Sequence, residues 1–524
     1  MRTKYLTLLW SVLLILGSVV QAKQESPPNI LFIMADDHAW QAISAYGGRL
    51  AKIAPTPNID RIANEGVRFD RVFCNNSICG PSRAAILTGK FSHRNGFFKN
   101  EGGGDFDGSQ QTFPKLLQKA GYCTAVIGKW HLGTVPTGFD YSKVLVNGNG
   151  QGTYYHPVFQ INGDQTVMET NFWSTHQIGN DALEWLKKGR DKSKPFLLLF
   201  QFKAPHRNWD PDPAYRDLFK DIEIPYPETF DDDYAGRKAA ADQWMSIEHN
   251  LNPLDLKVTP PAGLSGNALY KWQHLGNKNE FWTPDPKLKG EALKKWKYQK
   301  FMKDYLRCVH GVDVEVGRIL DYLDESGLAS NTLVVYTSDQ GFYLGEHGWF
   351  DKRFMYEESF RMPFLMRFPN HFDGGGTNSN LLMNIDFAST FLDAAGVPIP
   401  NDIQGKSFLS GDAGRKAVYY HYYEFPFWHH VQPHYGIRTD RYKLIHFYYS
   451  MDEWELYDLK KDPHELKNLI NDPEYAQVLM QMKKELKRQQ EACGDTASLE
   501  EMRKMTDVRI RRVYKEEKPS STHF

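Results

Sequence analysis

Short apolar runs alternate along this chain with stretches whose apolar residues recur at helical spacing. Ile30 to Met34 reads as a buried strand, and Ile59, Ile62 and Ala63 mark one face of a helix ended by Gly66. Thr124 to Ile127 forms a second strand, and Phe196 to Phe202, opened by Pro195, a third. Leu333 to Tyr336 is a fourth, after a long helix carrying Val309, Val312, Val316, Ile319, Leu320 and Leu323. This alternation predicts an α/β fold, a large and mostly parallel sheet between layers of helices. Residues 211–293, rich in Pro, Asp and Trp, read as a long insertion folded over one face. Beyond Gly405 the character changes: Tyr419 to Trp428 is aromatic and mainly core, Tyr435 to Tyr449 alternates like strands, and Pro473 to Met505 reads as helix. This predicts a smaller C-terminal α+β subdomain over 406–524, with a frayed end from Lys518 to Phe524.

The residues just past each strand carry more information. The first strand runs into Asp36-Asp37, the second into Lys129-Trp130-His131, the third into Lys203-Ala204-Pro205-His206, and the fourth into Ser338-Asp339-Gln340-Gly341. Ligands of open α/β sheets bind at the carboxyl ends of the strands. Four such endings predict one site assembled from distant sequence. Asp36, Asp37, Asp339 and Gln340 are hard oxygen donors of the kind Ca²⁺ prefers, with Mg²⁺ the rival. Any one of them alone would read as a helix cap. An adjacent aspartate pair on a buried sheet would repel, and a cation relieves that repulsion.

Charge and composition narrow the classes. Lys and Arg number 63 against 64 Asp and Glu, a net charge of −1, so no global field recruits nucleic acid. An anionic substrate would need a local cationic site. Residues 1–22 have the form of a signal peptide: Arg2 and Lys4, a mostly apolar Leu6 to Val20, and a small-residue cleavage site at Val20-Gln21-Ala22. The expected location is the periplasm or the medium, and no other segment has the length of a membrane span. The five cysteines, Cys74, Cys79, Cys123, Cys308 and Cys493, are too sparse for a disulfide scaffold.

One of them stands in Cys79-Gly80-Pro81-Ser82-Arg83, followed by Leu87-Thr88-Gly89. Pro81 can open a helix that Gly89 ends, with Cys79 just outside its N-terminus, where negative charge is favoured. This motif resembles the signature of the type I sulfatases of the alkaline phosphatase superfamily. In that family the cysteine is oxidised to formylglycine, whose hydrate is the nucleophile. Gly-Lys-Trp-His-Leu-Gly at 128–133, Lys-Ala-Pro-His at 203–206 and Gly-Glu-His-Gly-Trp-Phe-Asp-Lys at 345–352 resemble further sulfatase motifs.

The resemblance implies an alkaline-phosphatase-like catalytic domain over 23–405. It also implies a Ca²⁺ held by Asp36, Asp37, Asp339, Gln340 and the formylglycine at Cys79, and a maturation enzyme as partner. By the same likeness, hydrated residue 79 attacks sulfur while Arg83 stabilises it and Lys129 and Lys352 hold sulfate oxygens. His206 protonates the departing sugar oxygen, and His131 deprotonates the second hydroxyl to expel sulfate. The closing Glu455-Leu456-Tyr457-Asp458-Leu459 and the 339–359 region are most like bacterial glycosaminoglycan sulfatases, N-acetylglucosamine-6-sulfatases among them.

Sugar contacts are expected from Arg207, Asn208 and Trp209 beside His206, and from His429, His430, His434 and Arg438, with His434 preferred. Three alternatives remain open: a phosphomonoesterase or phosphodiesterase of the same superfamily, a different sugar specificity such as a uronate 2-O-sulfatase, and a non-catalytic carbohydrate-binding relative.

Overall fold

The computed structural model describes residues 27–100, 104–260, 262–274, 287–369, 371–426 and 428–507. The signal-peptide segment 1–22 and the tail from Lys518 lie outside the described residues. Eight strands set the frame: β1 (Asn29–Ala35), β2 (Val67–Phe73), β3 (Cys123–Gly128), β4 (Tyr141–Leu145), β5 (Val158–Ile161), β6 (Gln165–Met168), β7 (Phe196–Gln201) and β8 (Thr332–Ser338).

In the large sheet, β8, β1, β7, β3 and β4 lie side by side and parallel, with Ile30 registered between Leu333 and Leu197. Their apolar residues are unbroken because helices cover both faces, as expected of parallel strands. The margins are antiparallel: Arg361–Arg367 runs between β8 and β2, and β5 and β6 fold back beside β4. The expected mostly parallel sheet is therefore a mixed sheet with a parallel centre.

One face packs against the helices Pro57–Asn64, Ser174–Glu184 and Gly290–Glu325 through Ile59, Ile178, Val312 and Val316. The other packs against Cys79–Thr88 and Asp386–Ala394 through Ala84, Ile86, Phe387 and Phe391. The 36-residue helix from Gly290 spans roughly 54 Å.

A separate four-stranded antiparallel sheet, Ala417–Tyr422, His434–Thr439, Tyr442–Phe447 and Glu453–Asp458, carries the helix Ala476–Cys493. The stretch read as one helix from Pro473 divides into Ala476–Cys493 and Leu499–Asp507 at Gly494, whose φ of 78° ends the first. Tyr419, Tyr420, Tyr422 and Tyr423 are core, as expected, but Trp428 is half exposed. All five cysteines are buried free thiols. Among the described residues no helix is long and apolar enough to cross a membrane.

Candidate active site

The four strands whose endings carry chemistry are neighbours in the order β8, β1, β7, β3, all pointing the same way. At about 4.8 Å per strand, their carboxyl ends fall within roughly 15 Å. Gly128 makes this closeness possible. Its φ is 109°, and a Cβ there would sit 1.8 Å from the Gln201 carbonyl oxygen, so only glycine lets β3 deliver Lys129 beside β7.

Asp36, Asp37 and Asp339 are fully buried and can bring one oxygen each within 4.8 Å of one another. Asp36 likewise groups with Cys79 and His206. Each carboxylate has a cation. Lys129 Nζ bonds Asp36 and Lys352 Nζ bonds Asp37. Arg83 donates through Nε to Asp339 at 3.0 Å, with Asp36 3.4 Å from its Nη2. The three cations Arg83, Lys129 and Lys352 thus match the three carboxylates, and a divalent ion among them would leave the cluster net positive.

The donor set fits such an ion. Gln340 donates its amide N–H to Asp37 Oδ1 at 2.5 Å, which leaves Gln340 Oε1 buried with no hydrogen-bond partner, and Asp37 Oδ2 is equally orphaned. Two acceptor oxygens stranded in a dry cluster of carboxylates are what a hard cation satisfies. Burial pushes the Asp339 carboxyl up to about 7, reinforced by the Asp36 charge. Burial likewise opposes ionisation of Asp36, but Lys129, His206 and Arg83 outweigh it and hold its carboxyl well below the usual range.

Cys79 opens the helix Cys79–Thr88, capped by Ile78 with no side-chain bond and ended by Gly89 at φ 66°. It is therefore the first helical residue rather than one just outside. Gly80 N–H donates to Asn100 Oδ1 at 3.1 Å, and Ser82 Oγ bonds the Asp339 carbonyl, tying the helix to the acidic cluster. Burial pushes the Cys79 thiol up to about 12, so as an unmodified thiol it is a poor nucleophile at neutral pH.

A cavity of about 200 Å³ opens above Cys79, lined among others by His131, His206, Arg207 and Lys352. The His206 Nδ1 lies 2.7 Å from the Arg207 carbonyl, which can only accept, so Nδ1 carries the proton. Its Nε2 lies 3.7 Å from Asp37 Oδ2.

These features have close parallels in known proteins. A family model described as "Sulfatase" matches residues 28–397, and one described as "N-sulphoglucosamine sulphohydrolase, C-terminal" matches residues 345–492. The chain belongs to the sulfatase family. Like its relatives it is a hydrolase of sulfate esters, and the family generally uses formylglycine and a metal ion.

The sulfatase is 49% identical over 497 residues to an N-acetylglucosamine-6-O-sulfatase of Bacteroides thetaiotaomicron, covering 90% of this chain and 88% of that one. It is 27% identical to an arylsulfatase of Clostridium perfringens over 87% of this chain and 93% of the other. A solved structure of an enzyme with its substrate D-glucosamine-2-N,6-O-disulfate matches at a TM-score of 0.84 and 48% identity, covering 91% of this chain and all of that one. The phosphonate monoester hydrolase of Agrobacterium radiobacter shares the fold, with a TM-score of 0.66 at 22% identity over 89% and 96% of the two chains.

The sugar-contact candidates divide. Arg207 lines the cavity, while Asn208 lines only an adjoining one. Trp209 is fully buried in the core, its ring centroid 4.5 Å from that of Phe301. His434, the preferred candidate, is fully buried: Nδ1 donates to the Gln432 carbonyl at 2.7 Å and Nε2 accepts from Met355 N–H at 3.1 Å. Its ring holds the core together and is not offered to a sugar. Arg438 lies over the Phe73 ring and pairs with Glu357, while His430 stacks on Trp244 beside Asp242. Both stand off the cavity. His429 stands behind the wall, 2.9 Å from Arg207 Nη1 and 3.1 Å from Asp351.

Sequence reading missed Asp351, Arg353, Gln151, Glu424 and Trp428, all of which line the cavity. Asp351 and Arg353 flank Lys352 and both have positive φ, 79° and 98°. Their charges beside an apolar Trp349-Phe350 were readable, but the backbone that turns both inward was not. Among its described residues, the insertion over 211–293 contributes none to this cavity. It braces the fold instead, through Asp232 against His347 and Trp244 N–H against the His429 carbonyl.

Proposed function

We propose that this sulfatase removes the 6-O-sulfate from N-acetylglucosamine or a related glucosamine of glycosaminoglycan origin, releasing inorganic sulfate. The observation that carries this is Cys79 at the first turn of its helix, within ligand reach of Asp36 and His206 and facing a cavity lined by cations. The 49% identity to an N-acetylglucosamine-6-O-sulfatase over nearly the whole chain supports the sugar assignment.

Asp36, Asp37, Asp339, Gln340 and residue 79 would hold the ion. Ca²⁺ is favoured over Mg²⁺ because a neutral amide and several carboxylates form an irregular, oxygen-rich cage. Bound there, the ion supplies positive charge to the nucleophile and the sulfate oxygens. Formylglycine at position 79, made by a maturation enzyme, supplies a gem-diol hydroxyl in place of the inert thiol. Lys129 and Lys352 hold sulfate oxygens as fixed cations, and Arg83 orients Asp339 and Asp36. His206, once it holds a second proton at Nε2, gives that proton to the departing sugar oxygen, and His131 takes one from residue 79 to release sulfate. Arg207, Asp351 and Arg353 would meet the sugar hydroxyls.

Residues 23–405 are taken as the catalytic domain and 406–524 as the subdomain, with 1–22 removed on export to the periplasm or medium. The test is mass spectrometry of the peptide containing residue 79, with sulfate release from a panel of defined sulfated monosaccharides. An unmodified, fully active Cys79, or a preference for uronate 2-sulfate or phosphate esters, would overturn the reading.

A further inference from the structure

Lys203 is a buried ammonium beside the site but outside its ion pairs. It is 4% exposed, and its Nζ lies 3.2 Å from the Arg207 carbonyl and 5.0 Å above the Tyr154 ring. Among the described residues it forms no ion pair with a carboxylate, unlike Lys129 and Lys352. Its nearest opposite charges, Asp36 and Asp37, act only from a distance and do not offset its burial. A buried ammonium with no carboxylate in contact is costly, and an arriving anion satisfies it.

Lys203 also lines a second cavity of about 440 Å³, walled further by Tyr154, Tyr155, Arg207, Asn208 and Asp210. That volume suits a small ligand or a sugar residue. The two cavities share His206 and Arg207 along their common wall. If His206 protonates the departing oxygen, the sugar that leaves must abut both. Aromatic rings and amide or carboxylate side chains at 154, 155, 208 and 210 suit a sugar's faces and hydroxyls, and Lys203 suits an oxyanion.

We propose that this second cavity is a saccharide subsite in which Lys203 is the counter-charge to an oxyanion next to the scissile sulfate. The oxyanion is either a sulfamate on the same glucosamine or the carboxylate of an adjoining uronate. The inference rests on the function proposed above and extends it to the neighbouring group.

The matured enzyme is assayed on N-acetylglucosamine 6-sulfate, on N-sulfoglucosamine 6-sulfate, and on a disaccharide joining a uronate to N-acetylglucosamine 6-sulfate. At least one anionic substrate should exceed the first in kcat/KM by about tenfold or more, through KM, and which one does so identifies the oxyanion. In Lys203→Met that ratio should collapse toward one. A wild-type ratio near one, or a ratio kept in the variant, overturns the subsite. Lys203→Gln serves if the Met variant does not fold.

If none of the three substrates is turned over, the proposed function fails. Titration of the Cys79→Ala chain with N-sulfoglucosamine, an unsulfated uronate disaccharide and N-acetylglucosamine then decides the subsite alone. Tighter binding of an anionic ligand, lost in the Cys79→Ala, Lys203→Met double variant, supports it, and equal or absent binding overturns it.

Discussion

The hydroxyl of Tyr305, midway along the helix Gly290–Glu325, donates to the Asp37 carbonyl at 2.8 Å and accepts the Ala39 N–H at 2.8 Å. Asp37 stands at φ 63°, a conformation a non-glycine residue keeps only when its surroundings impose it. Tyr305 is thus a clamp from one helical layer on the turn that presents Asp37. Tyr305→Phe leaves a buried carbonyl and a buried N–H unsatisfied and should cost about 1–3 kcal/mol in urea unfolding. It should also weaken Ca²⁺ binding by calorimetric titration. Unchanged affinity would mean that the turn holds itself.

The orphaned Asp37 Oδ2 and Gln340 Oε1 predict linkage between cation binding and folding. Dialysis against a chelator should lower the melting temperature by several degrees, and Ca²⁺ should restore it, since an ion at about a hundred times its Kd adds about 2.7 kcal/mol. Asp339→Ala should abolish the response. Restoration by Mg²⁺ at equal concentration would argue against the preference for Ca²⁺.

Asp351 is buried between Arg353, which it bonds directly, His429 at 3.1 Å and Arg207 at 3.5 Å. Burial opposes its ionisation, but Arg353, His429 and Lys352 hold its carboxyl well below the usual range. Asp351→Asn strands a buried guanidinium, so a loss of about 3 kcal/mol in stability is expected. Sulfate release should fall at least tenfold, chiefly through KM, if Asp351 also meets the sugar. Kinetics unchanged alongside lost stability would confine it to holding Arg353.

Buried histidines set opposite limbs of the pH–stability curve, His434 among those on the acid side and His347 on the alkaline side. Burial pushes His434 down to about 3, so below pH 6.5 the unfolded chain binds a proton that the folded chain refuses. Its contribution is whole above pH 6.5 and is lost as pH falls from there toward 3. For His347 burial also pulls downward, but the hydrogen bond to Asp232 at 2.7 Å and the nearby Glu358 carboxylate, 3.7 Å away, outweigh it and raise the ring to about 9. That contribution is whole below pH 6.5 and is lost as pH rises through 9. Each limb should amount to a few kcal/mol. Urea midpoints from pH 4 to 10 test this: His347→Gln should flatten the alkaline limb alone, and an alkaline limb kept in that variant would assign it elsewhere.

The sequence alone determined the four central strands that carry the site, the residues delivered at their ends and the cysteine motif. Each of these is local: an apolar run of five, an Asp-Asp after it, a Pro and a Gly bounding one helix. It also determined that Asp36, Lys129, His206 and Asp339 belong to one site, because parallel strands present their carboxyl ends on one edge. The tertiary structure alone decided which polar residues face the cavity. Trp209 and Asn208 are neighbours in sequence, yet one packs on Phe301 and the other lines a cavity wall. His434 and His429 looked alike as candidates, and both are buried: the first among Phe354 and Phe447 under the small sheet, the second behind the cavity wall against Arg207 and Asp351. The physical reason is that a side chain's facing depends on register and on positive-φ turns such as those at Asp351 and Arg353. Contacts made across hundreds of residues fix these, and no local pattern records them.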